Sequence, residues 1–244
     1  MTELAEWEKE ALAKLTSKLP QYELIPEKTA LIVIDMQYLD AHPDYGLGKR
    51  AKDLGIGHLV KPYFDRCAEA TGKIQELLQT AREIGVEVFH VAIAPYTSDA
   101  RECGVVSRLL GYRPPKGSRE TDILDELAPL DDEIVLPKIT SSAFNSTPLD
   151  QMLRNMEKDT LIVCGVVTNG CVETTVRDGR DLGYKIVMVS DACAAFTVEA
   201  HENTLKHMSG TRGNVRETAG IVAELRERKV ATAPQPVAPV PVGA

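Results

Sequence analysis

Two stretches of the chain, Thr29–Ile34 and Thr160–Val166, are apolar almost without interruption. A strand with one wet face alternates polar and apolar residues. An unbroken run therefore needs cover on both faces, the condition inside a parallel sheet with helices above and below. Runs at Val86–Ala94, Glu133–Pro137 and Lys185–Val189 read as further strands. Between and after them lie helical patterns at Leu59–Ile84, Pro148–Asn155, Val172–Leu182, Val198–His207 and Thr218–Arg228, the first closed by Gly85. Strands alternating with helices imply right-handed βαβ crossovers, and so an α/β fold: a three-layer α/β/α sandwich around a mostly parallel sheet.

The 244 residues suit one large domain. Leu4, Trp7, Ala11, Leu12 and Leu15 recur at helical spacing, so residues 1–20 read as an amphipathic N-terminal helix over Thr2–Leu19, closed by Pro20 and suited to packing on a neighbouring subunit. Residues 21–230 form the single domain. The Ala-, Pro- and Val-rich stretch 231–244 has too few large apolar side chains to fold alone and is expected to be a disordered tail. Gln37–His58 reads as a polar loop. Pro95–Asp122 reads as a longer irregular segment, a lid or a subunit contact.

With 28 basic against 36 acidic residues the net charge is −8, so no global field recruits nucleic acid or an anionic membrane. The five cysteines, at 67, 103, 164, 171 and 193, include no Cys-x-x-Cys pair, which argues against a disulfide framework and a thiolate zinc site. The acidic start Met1–Glu6 is unlike a signal peptide, and no apolar run approaches membrane-spanning length, so a cytoplasmic setting is expected. Gly46, Gly48 and Ala51 imitate a dinucleotide fingerprint but lie far from the preceding strand end and open no clear helix. No phosphate-loop signature occurs either, and no cofactor is expected.

Chemistry is concentrated at strand ends, where open parallel sheets bind ligands. Cys171 closes the small-residue turn Gly165–Gly170 between a strand and a helix. There the helix dipole favours thiolate, although most cysteines in such proteins, Cys164 among them, are inert apolar residues. Asp35 ends the first strand and Lys138 the third; alone, each reads as a turn acid and a solvated charge. Together the three make a nucleophile, a cation that stabilises it and a carboxylate that carries its proton. No histidine, at 42, 58, 90, 201 or 207, sits beside the cysteine in sequence.

The segments Leu31–Gln37, Leu136–Lys138 with Ser142–Phe144 and Thr147–Leu149, and Gly165–Val172 together resemble the isochorismatase-like cysteine hydrolases, over about Thr29 to Arg228. The resemblance implies a Rossmann-like topology, a catalytic triad of Asp35, Lys138 and Cys171, and a cis peptide at Val166-Val167. It also implies an oxyanion hole made by the backbone N–H groups of Val167 and Cys171. The implied activity is hydrolysis of a C–N bond in a small amide, ureido or carbamoyl substrate through a thioester, by a homo-oligomer, dimer or tetramer.

Nicotinamidases of the family hold a metal through Asp-x-His after the second strand. Here His90 lies within that strand and Pro95–Asp99 follows it, with no such motif, so no metal is expected. Isochorismatase-type vinyl-ether hydrolysis needs the acid but no sulfur, and retention of Cys171 favours C–N cleavage over it. A third reading is a non-catalytic interaction module with a regulatory thiol. Gln37, Tyr38, Phe144, Thr168 and Asn169 are candidate substrate-binding residues, each with a dull alternative as turn, core or cap. Arg113 and Arg119 read as surface charges within reach of a substrate carboxylate. Glu173 reads as a complement to its helix dipole, and Asp191 as a turn residue after the fifth strand.

Overall fold

The two apolar runs lie side by side at the centre of the sheet, every residue of both buried. The computed structural model describes residues 5–16, 21–210 and 214–232. In chain order the elements are α1 (Glu6–Thr16), β1 (Thr29–Ile34), α2 (Tyr38–Ala41), α3 (Gly46–Asp53), α4 (Gly57–Ile84), β2 (Glu87–Ile93), α5 (Val105–Leu110), β3 (Ile134–Lys138), α6 (Ala143–Ser146), α7 (Leu149–Asn155), β4 (Thr160–Val166), α8 (Glu173–Asp181), β5 (Lys185–Ala194), α9 (Val198–Gly210), β6 (Asn214–Arg216) and α10 (Thr218–Thr232).

The six strands pair in the order β3-β2-β1-β4-β5-β6, all parallel. The chain runs outward from β1 through β2 to β3, then returns to β4 on the other side. The carboxyl ends of β1 and β4 therefore flank the point where strand order reverses, the crevice in which open sheets bind ligands. Helices cover both faces, with α4 and α10 packed on each other and on β5.

Gly165 makes the central pairing close. Its φ of +116° is open to glycine alone, and a Cβ there would stand 2.0 Å from the Ile34 carbonyl oxygen. The β4–β5 register shifts between Val163 and Gly165, so the end of β4 turns out of its regular ladder just before the site.

Several sequence expectations need correction. Gln37–His58 is not a plain loop: it holds α2, α3 and the start of α4. The helices there are too short for periodicity to reveal. They are tied down by Tyr38, whose ring stacks on His42 at 4.9 Å and meets the edge of Tyr45 at 5.0 Å. Gly46, expected to open no clear helix, begins α3, where its φ of +39° lets the backbone approach Leu39. Strand β5 runs through Asp191 to Ala194, so Asp191 is a strand residue and not a turn; its Oδ1 accepts from the backbone N and the hydroxyl of Thr218, both at 2.8 Å, capping α10. Strand β6 had no sequence signal. The N-terminal helix is seen over Glu6–Thr16, and the tail expected over 231–244 lies, beyond Thr232, outside the described residues.

Candidate active site

Asp35, Lys138 and Cys171 converge at the carboxyl edge of the sheet. Asp35 follows β1 with φ of +50°, a left-handed conformation that aspartate tolerates better than most residues, and its backbone N donates to the Val91 carbonyl at 2.8 Å. Lys138 ends β3, two strands away; with neighbouring strands about 4.8 Å apart, only a long side chain can cross the end of β2 to reach Asp35. Its Nζ lies 2.9 Å from Asp35 Oδ2, 3.0 Å from the Thr140 carbonyl and 3.3 Å from Cys171 Sγ. Those contacts engage each of the three hydrogens of the ammonium, which is why a lysine can be wholly buried here.

Cys171 lies in an irregular turn, Thr168–Val172, between β4 and α8. The peptide Val166-Val167 is cis. At Gly170, φ is −130° and ψ −108°, and a Cβ would stand 2.8 Å from a Val167 methyl, so a larger residue there would displace the Val167 side chain.

The electrostatics differ from the expectation of a resting thiolate. Burial, and after it the charge of Asp35, push the Cys171 thiol up from its ordinary range, against the opposing pull of Lys138. Burial likewise raises Asp35, with Lys138 and a hydrogen bond to Cys171 pulling the other way. For Lys138 burial alone would lower the pKa, but the charge of Asp35, and after it the neighbouring Cys171 sulfur, outweigh it and the ammonium is held protonated. With the ammonium 2.9 Å from Asp35 Oδ2, the arrangement is read as an Asp35–Lys138 ion pair beside a neutral Cys171 thiol. Asp35 Oδ1 is buried without a well-aligned hydrogen bond, and the thiol that interacts with the same carboxylate is the donor available to it.

Above the triad opens a cavity of about 740 Å³, with Asp35, Cys171 and Val167 on its floor and Leu47, Ile93 and Phe196 among its apolar walls. The 95–122 segment supplies one side through Cys103, Val105, Ser107 and Tyr112. Asp40, read in sequence as part of a polar loop, also faces the cavity. Nothing in sequence separates it from a solvated acid; its significance lies in the turn of α2, which points it at the triad.

None of the five residues proposed for substrate binding lines the cavity. Gln37 is fully buried, its amide donating to the Ile93 and Glu120 carbonyls and accepting from the Ile93 N–H, so it laces β2 to the 95–122 segment. The Tyr38 hydroxyl accepts from Arg119 at 2.6 Å. Phe144 stacks on Tyr184 at 5.6 Å. Thr168 Oγ1 lies 2.8 Å from His201 Nδ1, tying the turn to α9, and Asn169 is exposed. Arg119 also engages Asp122 and Asp125, while Arg113 reaches the Asp99 carbonyl. Glu173 pairs with Arg177 at 2.6 Å and accepts from Thr204 at 2.8 Å. Among the described residues, no three His, Cys, Asp or Glu side chains are grouped to hold a metal ion.

Comparison with known proteins identifies the family. Residues 29–220 match the isochorismatase domain model. The ureidoacrylate amidohydrolase RutB of Acinetobacter baylyi is 31% identical over 219 residues, covering 82% of this chain and 84% of its own. A cysteine hydrolase structure from Pseudomonas syringae pv. phaseolicola superposes with a TM-score of 0.72 at 28% identity, covering 86% of this chain and 99% of its own. The N-carbamoylsarcosine amidase of Thermoplasma acidophilum does so at 0.62 and 27%, covering 78% and 96%. With the domain matched across the whole sheet, and every strand that carries the triad inside the match, the chain belongs to the isochorismatase family of hydrolases.

Proposed function

We propose that the protein is a cysteine-nucleophile amidohydrolase that cleaves the C–N bond of a small amide, ureido or carbamoyl substrate through a thioester. The observation that carries the reading is the Lys138 ammonium, 2.9 Å from Asp35 and 3.3 Å from Cys171, behind an open cavity that Asp35 and Cys171 line. The named relatives, a ureidoacrylate amidohydrolase and an N-carbamoylsarcosine amidase, support the substrate class.

Cys171 sulfur attacks the carbonyl carbon while its proton passes to Asp35. Backbone N–H groups of Val167 and Cys171 hold the developing oxyanion. Collapse of the tetrahedral adduct breaks the C–N bond, and protonated Asp35 returns the proton to the departing nitrogen. Water then adds to the thioester with Asp35 as base, releasing the acid and restoring the thiol. Lys138 stays protonated throughout and stabilises whichever partner carries the negative charge. Such a small-molecule enzyme is expected in the cytoplasm and as a dimer or tetramer. Exposed Trp7 and Leu15 on α1 support self-association, and no helix among the described residues is long and apolar enough to cross a membrane.

The test is ammonia or amine release over a panel of small amides and ureido compounds, with mass spectrometry of the quenched enzyme. The wild type is expected to carry an acyl adduct on Cys171, and Cys171→Ala is expected to lose turnover by about a thousandfold or more. Isochorismate turnover surviving in Cys171→Ala would favour vinyl-ether protonation by Asp35. No turnover and no adduct on any substrate would favour the module reading.

A further inference from the structure

The mechanism leaves one carboxyl in the cavity without a task. Asp40 sits on α2, its backbone carbonyl held by the Tyr63 hydroxyl at 3.1 Å, and its side chain lines the same cavity as Asp35 and Cys171. Its Oδ2 is buried and has no hydrogen-bond partner. Leaving a buried carboxyl oxygen unpaired is costly, and a donor that arrives with the ligand removes that cost. The described lining offers no candidate. Lys138 lies behind the lining with its hydrogens engaged, and the described lining residues carry no cation: they are apolar side chains, glycines, hydroxyls, thiols and carboxyls.

We propose that Asp40 is the specificity-determining residue of this site, and that the substrate is a small amide whose far end carries an ammonium or another N–H donor, not a carboxylate. This rests on the C–N hydrolase reading and narrows it. A carboxylate end would meet Asp40 with no described counter-ion, whereas an ammonium satisfies the orphan oxygen. Burial, and after it the charge of Asp35, hold the Asp40 carboxyl well above the usual carboxylate range, with Lys138 opposing. An arriving cation relieves that penalty. The chain's net charge of −8 attracts the same class of ligand.

A matched set of primary amides tests this: β-alaninamide, butanamide and succinamate share one backbone ending in ammonium, methyl and carboxylate. The wild type is expected to rank them in that order by kcat/KM, with ammonium at least about tenfold above carboxylate. Asp40→Asn is expected to lower β-alaninamide turnover by roughly tenfold to a hundredfold and to raise succinamate. Asp40→Leu, with thermal unfolding recorded alongside, separates loss of recognition from loss of fold. Binding of propylammonium against propanoate gives a readout independent of turnover. If none of the amides is cleaved, yet propylammonium binds and Asp40→Asn abolishes that binding, the hydrolase reading fails and the role of Asp40 stands. Succinamate cleaved fastest, propanoate bound more tightly than propylammonium, or an Asp40→Asn variant with unchanged ranking overturns it.

Discussion

Replacing Lys138 by methionine keeps most of the stem and deletes the charge. The Lys138 and Asp35 side chains are 0% and 2% exposed, and their ion pair measures 2.9 Å. Removing one member of such a pair costs about 3–5 kcal/mol, because the remaining charge is buried and uncompensated. Asp35 has an escape, since protonation removes the charge. Its folded-state pKa already lies above the ordinary carboxylate value through burial, and loss of Lys138 removes the main influence holding it down. Between the unfolded and folded pKa values the folded chain then holds the extra proton, so stability falls as pH rises, by at most about 1.4 kcal/mol per pH unit. Lys138 in the wild type contributes no slope at neutral pH: its raised pKa keeps its stabilisation intact below about 10.4. The Lys138→Met variant is therefore expected to be destabilised by about 3–5 kcal/mol at pH 8 and by distinctly less at pH 5, read from urea unfolding against wild type. Adding Asp35→Asn, which suits the left-handed backbone at that position, is expected to recover most of the loss without restoring activity. Equal destabilisation at both pH values, or a double variant no better than the single one, would refute this account of the buried charges.

Two further outcomes follow from the supports of the site. Gly165→Ala forces a methyl to within 2.0 Å of the Ile34 carbonyl at a φ of +116°, and is expected to cost more than about 4 kcal/mol, or to prevent folding, in thermal unfolding. Asp191→Ala removes the cap from α10 and is expected to cost about 1 kcal/mol in the same measurement while kcat stays within twofold or so, since Asp191 lies outside the cavity lining.

The central strands were legible because burial on both faces leaves an unbroken apolar run, and both ends of β1 and of β4 fall where those runs end. Asp35, Lys138 and Cys171 were legible for a related reason: each stands at or just beyond the carboxyl end of a strand, where side chains of a parallel sheet meet. The end of β5 was hidden because Ser190 and Asp191 interrupt the apolar pattern, though tertiary partners satisfy them: the Ser190 hydroxyl donates to Arg216 and the Asp191 carboxylate caps α10. Gln37 and Thr168 have polar groups that sequence assigns equally well to a ligand or to the protein; only the fold shows that Gln37 is fully engaged and that Thr168 meets His201. Asp40 failed in the opposite direction, a polar-loop residue whose missing partner is visible only once α2 is placed against the cavity.

On the proposed mechanism the resting thiol is compatible with fast chemistry, and the reason lies in what the three side chains conserve. Burial raises both Asp35 and Cys171, which would obstruct catalysis if either had to gain or lose charge alone. Moving the proton from sulfur to carboxylate does neither. Before the step one negative charge sits on Asp35, 2.9 Å from the ammonium; after it the charge sits on sulfur, 3.3 Å from the same ammonium. The desolvation penalty is carried by both states and largely cancels, so the transfer depends on the difference between two raised pKa values and not on either one. A lysine whose contacts span both partners keeps the negative charge beside the ammonium on either side of the exchange. A lysine reaching only the sulfur would hold a permanent thiolate, and one reaching only Asp35 would keep the carboxylate too weak a base to take the proton.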